Sequence, residues 1–281
     1  MSSMTATRAF FRLELAEAMR SRWLAFTAVV YVLVFTGFVW FGMRESRVLG
    51  FTGLSRVVLN VANAVVLAVP LVALVATSQT IVRARQSGFF ELMLSQPVRR
   101  ADWFASVVAS RLVVVVGPLV VLLLGALVAG RLRGGEDAML APVVARSLLV
   151  TVSLAWAFVG IGFWISARAR TPELAIVMAL VAWLGAAALH DFALVGVLLR
   201  FRLEPQVVFA LAAANPVEAA RIAILGGVDP DLSVLGPVGF WLANKLGPGL
   251  GLAVGAGWPA LVGTIALWRA QARLANTDLV G

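Results

Sequence analysis

The chain has 281 residues, 61% of them apolar, a mean hydropathy of +0.96 and a net charge of +9 at pH 7. Several apolar runs reach the roughly 20 residues that a helix needs to cross about 30 Å of hydrocarbon, so the expected class is an all-α integral membrane protein, one transmembrane domain over 1–281. None of the runs shows the alternation of an outer-membrane barrel strand. Nucleic acid is not expected as a partner, because the basic residues flank the apolar runs, where anionic lipid headgroups account for them. The absence of cysteine removes disulfides, thiolate metal sites and cysteine catalysis.

In chain order, residues 6–22 are expected to form an amphipathic helix lying in the membrane interface. Phe11, Leu15 and Met19 repeat every four residues, with Arg8, Arg12, Glu14 and Glu17 elsewhere on the helix. This polar segment runs directly into a full-length apolar run, which is not the pattern of a signal peptide. Six spans are expected, at about 23–42, 57–82, 106–130, 147–167, 174–199 and 247–268. Span 2 carries Asn60, Asn63, Gln79 and Pro70, the last a candidate kink. Thr171-Pro172-Glu173 is an N-cap with proline at the first helical position, and opens span 5.

Asn215-Pro216-Val217-Glu218 is a second helix start, inside a segment broken by Gly226-Gly227, Asp229-Pro230 and Gly236-Pro237. Polar residues interrupt its apolar run, so two short helices at one membrane surface, dipping inward, are expected there rather than a seventh span. In span 6, Gly247, Gly251 and Gly255 recur every four residues. That spacing suits close packing within the chain and a contact between two copies equally well.

Six spans put both termini on one side. Of the 23 basic residues, 13 then fall on that side, which makes it the cytoplasmic side of a bacterial inner membrane.

Chemistry is sparse. No phosphate-binding loop is present, and the single lysine, Lys245, lies outside any such pattern, so the chain is not expected to be an enzyme. No catalytic residues and no metal site are expected: the seven methionines are scattered and the span interiors are nearly free of ionisable groups. His190 beside Asp191 reads either as a proton relay or as an interfacial dipeptide. Asn60, Asn63 and Gln79 form a polar strip that fits a substrate path or internal hydrogen bonding.

The most informative stretch is 83–103, RARQSGFFELMLSQPVRRADW. It is rich in arginine, yet Phe89, Phe90, Leu92, Met93 and Leu94 cluster within six residues. Each large apolar side chain left in water forfeits roughly 1.5–3 kcal/mol. A lipid surface covers one face of a short helix, so apolar residues nearly all round point to a second cover, a protein partner.

This stretch resembles the cytoplasmic coupling loop of ABC transporter permeases of the type 2 exporter class. Gly88, Glu91, Leu92, Leu94, Ser95, Pro97, Val98 and Arg100 fit that loop, while Arg83 to Gln86 replace the acids usual before the glycine and Phe89 replaces the usual threonine. Leu49-Gly50-Phe51-Thr52, Val69 to Leu74 and Asn215 to Arg221 bring the chain closest to the permeases of systems associated with nitrous oxide reductase maturation. The resemblance implies a homodimer of this chain carried by two cytoplasmic ATPase subunits. ATP and magnesium would sit on those subunits, and none would be held by this chain. Phe89, Phe90, Glu91, Leu92, Leu94, Ser95, Pro97 and Arg100 would face the ATPase and relay its movement to spans 2 and 3, and a periplasmic protein is a further candidate partner. The competing expectation is a membrane anchor or scaffold that moves no substrate.

Overall fold

A computed structural model describes residues 11–16, 25–33, 36–37, 54–94, 99–132, 139–226, 244 and 247–276 of the chain, and among them no strand occurs. Residues 11–16, 25–33 and 36–37 are helical. The rest of the expected interfacial helix and of span 1, like Ser95, Pro97 and the 133–138 turn, lies outside the described residues. The longer described helices are α1 (Leu54–Thr77), α2 (Thr80–Gln86), α3 (Phe89–Leu94), α4 (Arg100–Leu132), α5 (Leu140–Arg168), α6 (Pro172–Leu184), α7 (His190–Arg200), α8 (Pro205–Ala213), α9 (Pro216–Leu225) and α10 (Gly247–Asn276). A five-residue π-helical segment, Gly185–Leu189, joins α6 to α7 in one rod.

Five of these units are long and apolar enough to cross a membrane, or six if the pair α8–α9, bent by 116°, counts as one. The helices exceed the expected spans at their ends. α4 begins six residues earlier than span 3 and α5 seven residues earlier than span 4, because Arg100, Asp102 and Arg146 are carried on helical turns beyond the apolar core.

α5 is the hub. It buries Val143, Val150, Leu154, Phe158 and Phe163 against α1, α4 and α10, whereas α4 and the α6–α7 rod turn most of their apolar surface outward. In lipid such outward side chains are in their proper solvent. Helix association then rests on close backbone approach and internal hydrogen bonds rather than on hydrophobic burial. Glycine supplies the approach: Gly160 lies against the backbone of Gly263, and a Cβ on Gly263 would sit 2.6 Å from the Trp156 carbonyl oxygen. Ser153 Oγ donates to the Ala256 carbonyl, and Trp156 Nε1 donates to Thr264 Oγ1 at 3.1 Å.

The helix starts follow local chemistry. Thr171 Oγ1 accepts from Leu174 N at 3.2 Å and Asn215 Oδ1 accepts from Val217 N at 3.0 Å, each followed by proline at the first helical position. The helix of span 2 runs on through Pro70 and breaks instead at Ser78-Gln79.

Candidate functional site

The 83–103 stretch folds as α2, a sharp reversal, α3 and the start of α4. The reversal needs Gly88, whose φ of +71° is disfavoured for residues with a Cβ; its carbonyl then accepts from Glu91 N and Leu92 N to begin α3. α3 has two faces. Phe90 and Met93 are buried, Phe90 meeting Trp103 edge-on with ring centroids 5.0 Å apart. Phe89, half-buried, packs on the same indole at 5.6 Å. The opposite face carries Glu91 and Leu92, and Leu92 is 69% exposed.

Part of the second cover that the sequence demanded is therefore supplied by the chain's own Trp103, and the face left open is narrower than the composition of the stretch suggests. Leu94 is helical, and its side chain lies outside the described residues. Arg100 does not share the open face: its guanidinium donates to the carbonyls of Leu274 (3.1 Å) and Ala275 (3.3 Å), tying the C-terminal end of α10 to the start of α4.

α2 is held against the turn between α5 and α6. Ser166 Oγ accepts from Ile81 N (2.8 Å) and Val82 N (3.2 Å), Gln79 Nε2 donates to the Pro172 carbonyl (3.0 Å), and Arg85 donates to the Ala167 carbonyl (3.5 Å). Of the expected polar strip, Gln79 is thus hydrogen-bonded within the chain. The side chains of Asn60 and Asn63, on α1, lie outside the described residues. Nothing in the sequence reading singled out Ser166, a lone hydroxyl near the end of an apolar run. Its only signal was its place two residues before the first arginine of the turn.

A second constellation sits in the bent pair. Its tip reaches the middle of the bundle, where Asn215 Nδ2 donates to the Ala186 carbonyl at 2.6 Å, halfway along the Pro172–Arg200 rod, and Trp258 Nε1 donates to the Ala214 carbonyl at 3.0 Å. α9 returns against Gly255 of α10, whose missing Cβ makes room for Ala219 and Ala223, and Arg146 Nε donates to the Ala223 carbonyl. Arg221 bridges Glu218 (2.5 Å) and Asp191 (3.4 Å). Asp191 is therefore ion-paired across two elements, while His190 Nε2 is buried with no hydrogen-bond partner among the described residues. Sequence reasoning found the helix start at Asn215 and not the ion group, which joins Asp191 to Arg221 across 30 residues.

Comparisons with known proteins agree with this architecture. The family described as "ABC-2 family transporter protein" matches residues 8–227. A protein of Pseudomonas aeruginosa named "Probable ABC transporter permease protein NosY" is 28% identical over 261 residues, covering 88% of this chain and 94% of its own length. A protein of the same name from Stutzerimonas stutzeri is 25% identical over 229 residues, 80% of this chain and 83% of its own. The resemblance drawn from the loop, from 69–74 and from 215–221 thus extends over most of the molecule. The chain belongs to the ABC-2 transporter family, as a membrane-spanning permease subunit of an ABC transporter.

Proposed function

We propose that this permease works as a homodimer in the bacterial inner membrane, driven by two copies of a separate cytoplasmic ATPase that hold ATP and magnesium, and that it exports its substrate. The observation that carries this is the two-faced α3. Its inner face is fixed to Trp103 while Glu91 and Leu92 stand exposed at an end of the bundle crowded with arginines, outside the hydrocarbon. A rigid, outward apolar side chain flanked by charge is suited to a groove in a soluble partner. The reading has six spans, an N-terminal interfacial helix, and both termini on the ATPase side. The path runs along the dimer axis near Asn60 and Asn63. The resemblance to permeases of nitrous oxide reductase maturation systems extends the proposal to such a system, with a periplasmic protein as a further partner.

The test is co-expression with a P-loop ATPase encoded beside this chain. The complex should contain two copies of each subunit, and ATP hydrolysis should be absent from the chain alone. Leu92→Arg places an unpaired charge in the contact. Breaking such a contact typically costs about 3–5 kcal/mol, at least a hundredfold in assembly. A variant that inserts normally and keeps the ATPase at wild-type yield would favour a membrane anchor over a driven permease.

A further inference from the structure

The route by which movement leaves α3 is visible in how α2 begins. A helix start leaves its first four amides without intrahelical acceptors, and the usual remedy is a side-chain oxygen at the N-cap. Gln79 holds that position in α2 and its side chain makes no cap bond. The acceptor comes from another helix: Ser166 Oγ of α5 takes both the second and the third amide of α2, Ile81 N and Val82 N, and all three residues are buried. Gln79 and Arg85 add their bonds to Pro172 and Ala167, so every one of these tertiary bonds from α2 ends within residues 166–172.

The connection to α1 differs. Two non-helical residues separate the helices, Thr77 Oγ1 turns back to the Ala73 carbonyl, and Ser78 Oγ is buried with no hydrogen-bond partner among the described residues. α2 is continuous in sequence with α1 but fastened to α5 and α6.

We infer that Ser166 is a positioning residue for coupling: by capping α2 from α5 it makes α2, α3 and the 166–172 turn one lever, so ATP-driven movement enters α5 and α6 through this cap. This rests on the proposal that α3 receives an ATPase, and it replaces spans 2 and 3 with spans 4 and 5 as the first to move. The chemistry asks for a hydroxyl at position 166. Removing it strands two buried amides, so local opening of α2 should become at least tenfold easier.

The experiment uses the permease–ATPase complex in nanodiscs, with Ser166→Ala and Ser166→Thr. A wild-type preparation that lacks the ATPase counts against the docking proposal alone. Given a wild-type complex, Ser166→Ala should still assemble, because Leu92 is untouched. Loss of assembly would contradict the inference by making Ser166 part of the docking surface. Amide exchange in residues 80–86 should quicken at least about tenfold in Ser166→Ala and return toward wild type in Ser166→Thr.

A nitroxide on Leu199→Cys, 85% exposed at the far end of α7, then reads movement in a chain with no other cysteine. Trapping with ATP and vanadate should change its mobility in wild type, by at least threefold less in Ser166→Ala, and again fully in Ser166→Thr. Unchanged exchange in Ser166→Ala, or a full response at Leu199 without the hydroxyl, overturns the assignment.

Discussion

Two glycines show how single residues hold this bundle. Gly263 has no room for a Cβ beside the Trp156 carbonyl, whereas Gly257, six residues earlier on α10, has nothing within 4 Å of where its Cβ would lie. Gly263→Ala should destabilise the chain by about 1–3 kcal/mol through forced separation of α5 and α10. Gly257→Ala should be neutral or stabilise by up to about 1 kcal/mol, since only unfolded-state freedom is lost. Thermal unfolding in detergent of both variants checks the pair, and equal shifts would mean that the close approach carries no weight. The sequence left the glycine repeat of span 6 undecided between packing inside the chain and a dimer contact. Gly255 is used inside, against Ala219 and Ala223, while Gly160 and Gly263, which meet between α5 and α10, went unnoticed. A glycine's partner is a tertiary fact that spacing along one helix does not encode.

At the level of elements, what depended on neighbours in sequence was legible and what depended on neighbours in space was not. Thr171-Pro172 and Asn215-Pro216 announce helix starts because a cap is a bond across two or three residues. Two short helices were expected between 200 and 245 at one membrane surface; their bounds, Pro205–Ala213 and Pro216–Leu225, and the depth of their tip, set by Asn215 on Ala186 and Trp258 on Ala214, were not. The apolar girth of α3 was legible too; its split into a covered and an open face was not, because Trp103 covers Phe90 from the next helix.

Two predictions follow at this scale. Phe90→Ala should loosen α3 by about 3–5 kcal/mol, read as faster proteolysis in the 83–103 stretch, while Leu92→Ala should not. In the bent pair, Arg221→Leu leaves Glu218 and Asp191 facing each other and should cost about 3–5 kcal/mol, whereas Asp191, Glu218 and Arg221 all replaced by leucine should restore most of it. If the triple variant is no more stable than the single one in thermal unfolding, the cost does not lie in unpaired charge.

For the molecule as a whole, composition and run lengths were enough to establish an all-helical membrane protein, and the loop motif was enough to point to its family. Their common physical basis is that hydrocarbon thickness fixes span length and that a reversal at positive φ, as at Gly88, favours glycine. The bundle has one end at which α2, α3, the 166–172 turn and the last turn of α10 meet. Cysteines at Ser87 and Arg170 should therefore share one accessibility, protected from impermeant reagents in intact cells, and a cysteine at Leu132 should label. Labelling of Ser87 from outside would reverse the orientation.

The central claim, that the open face of α3 is held by a separate ATPase, is met most directly by photocross-linking in native membranes. A photoreactive residue at Leu92 should join the permease to the ATPase, and one at Phe90 should react within the chain, near Trp103. No ATPase adduct from Leu92, in membranes where both proteins are present, would contradict the account.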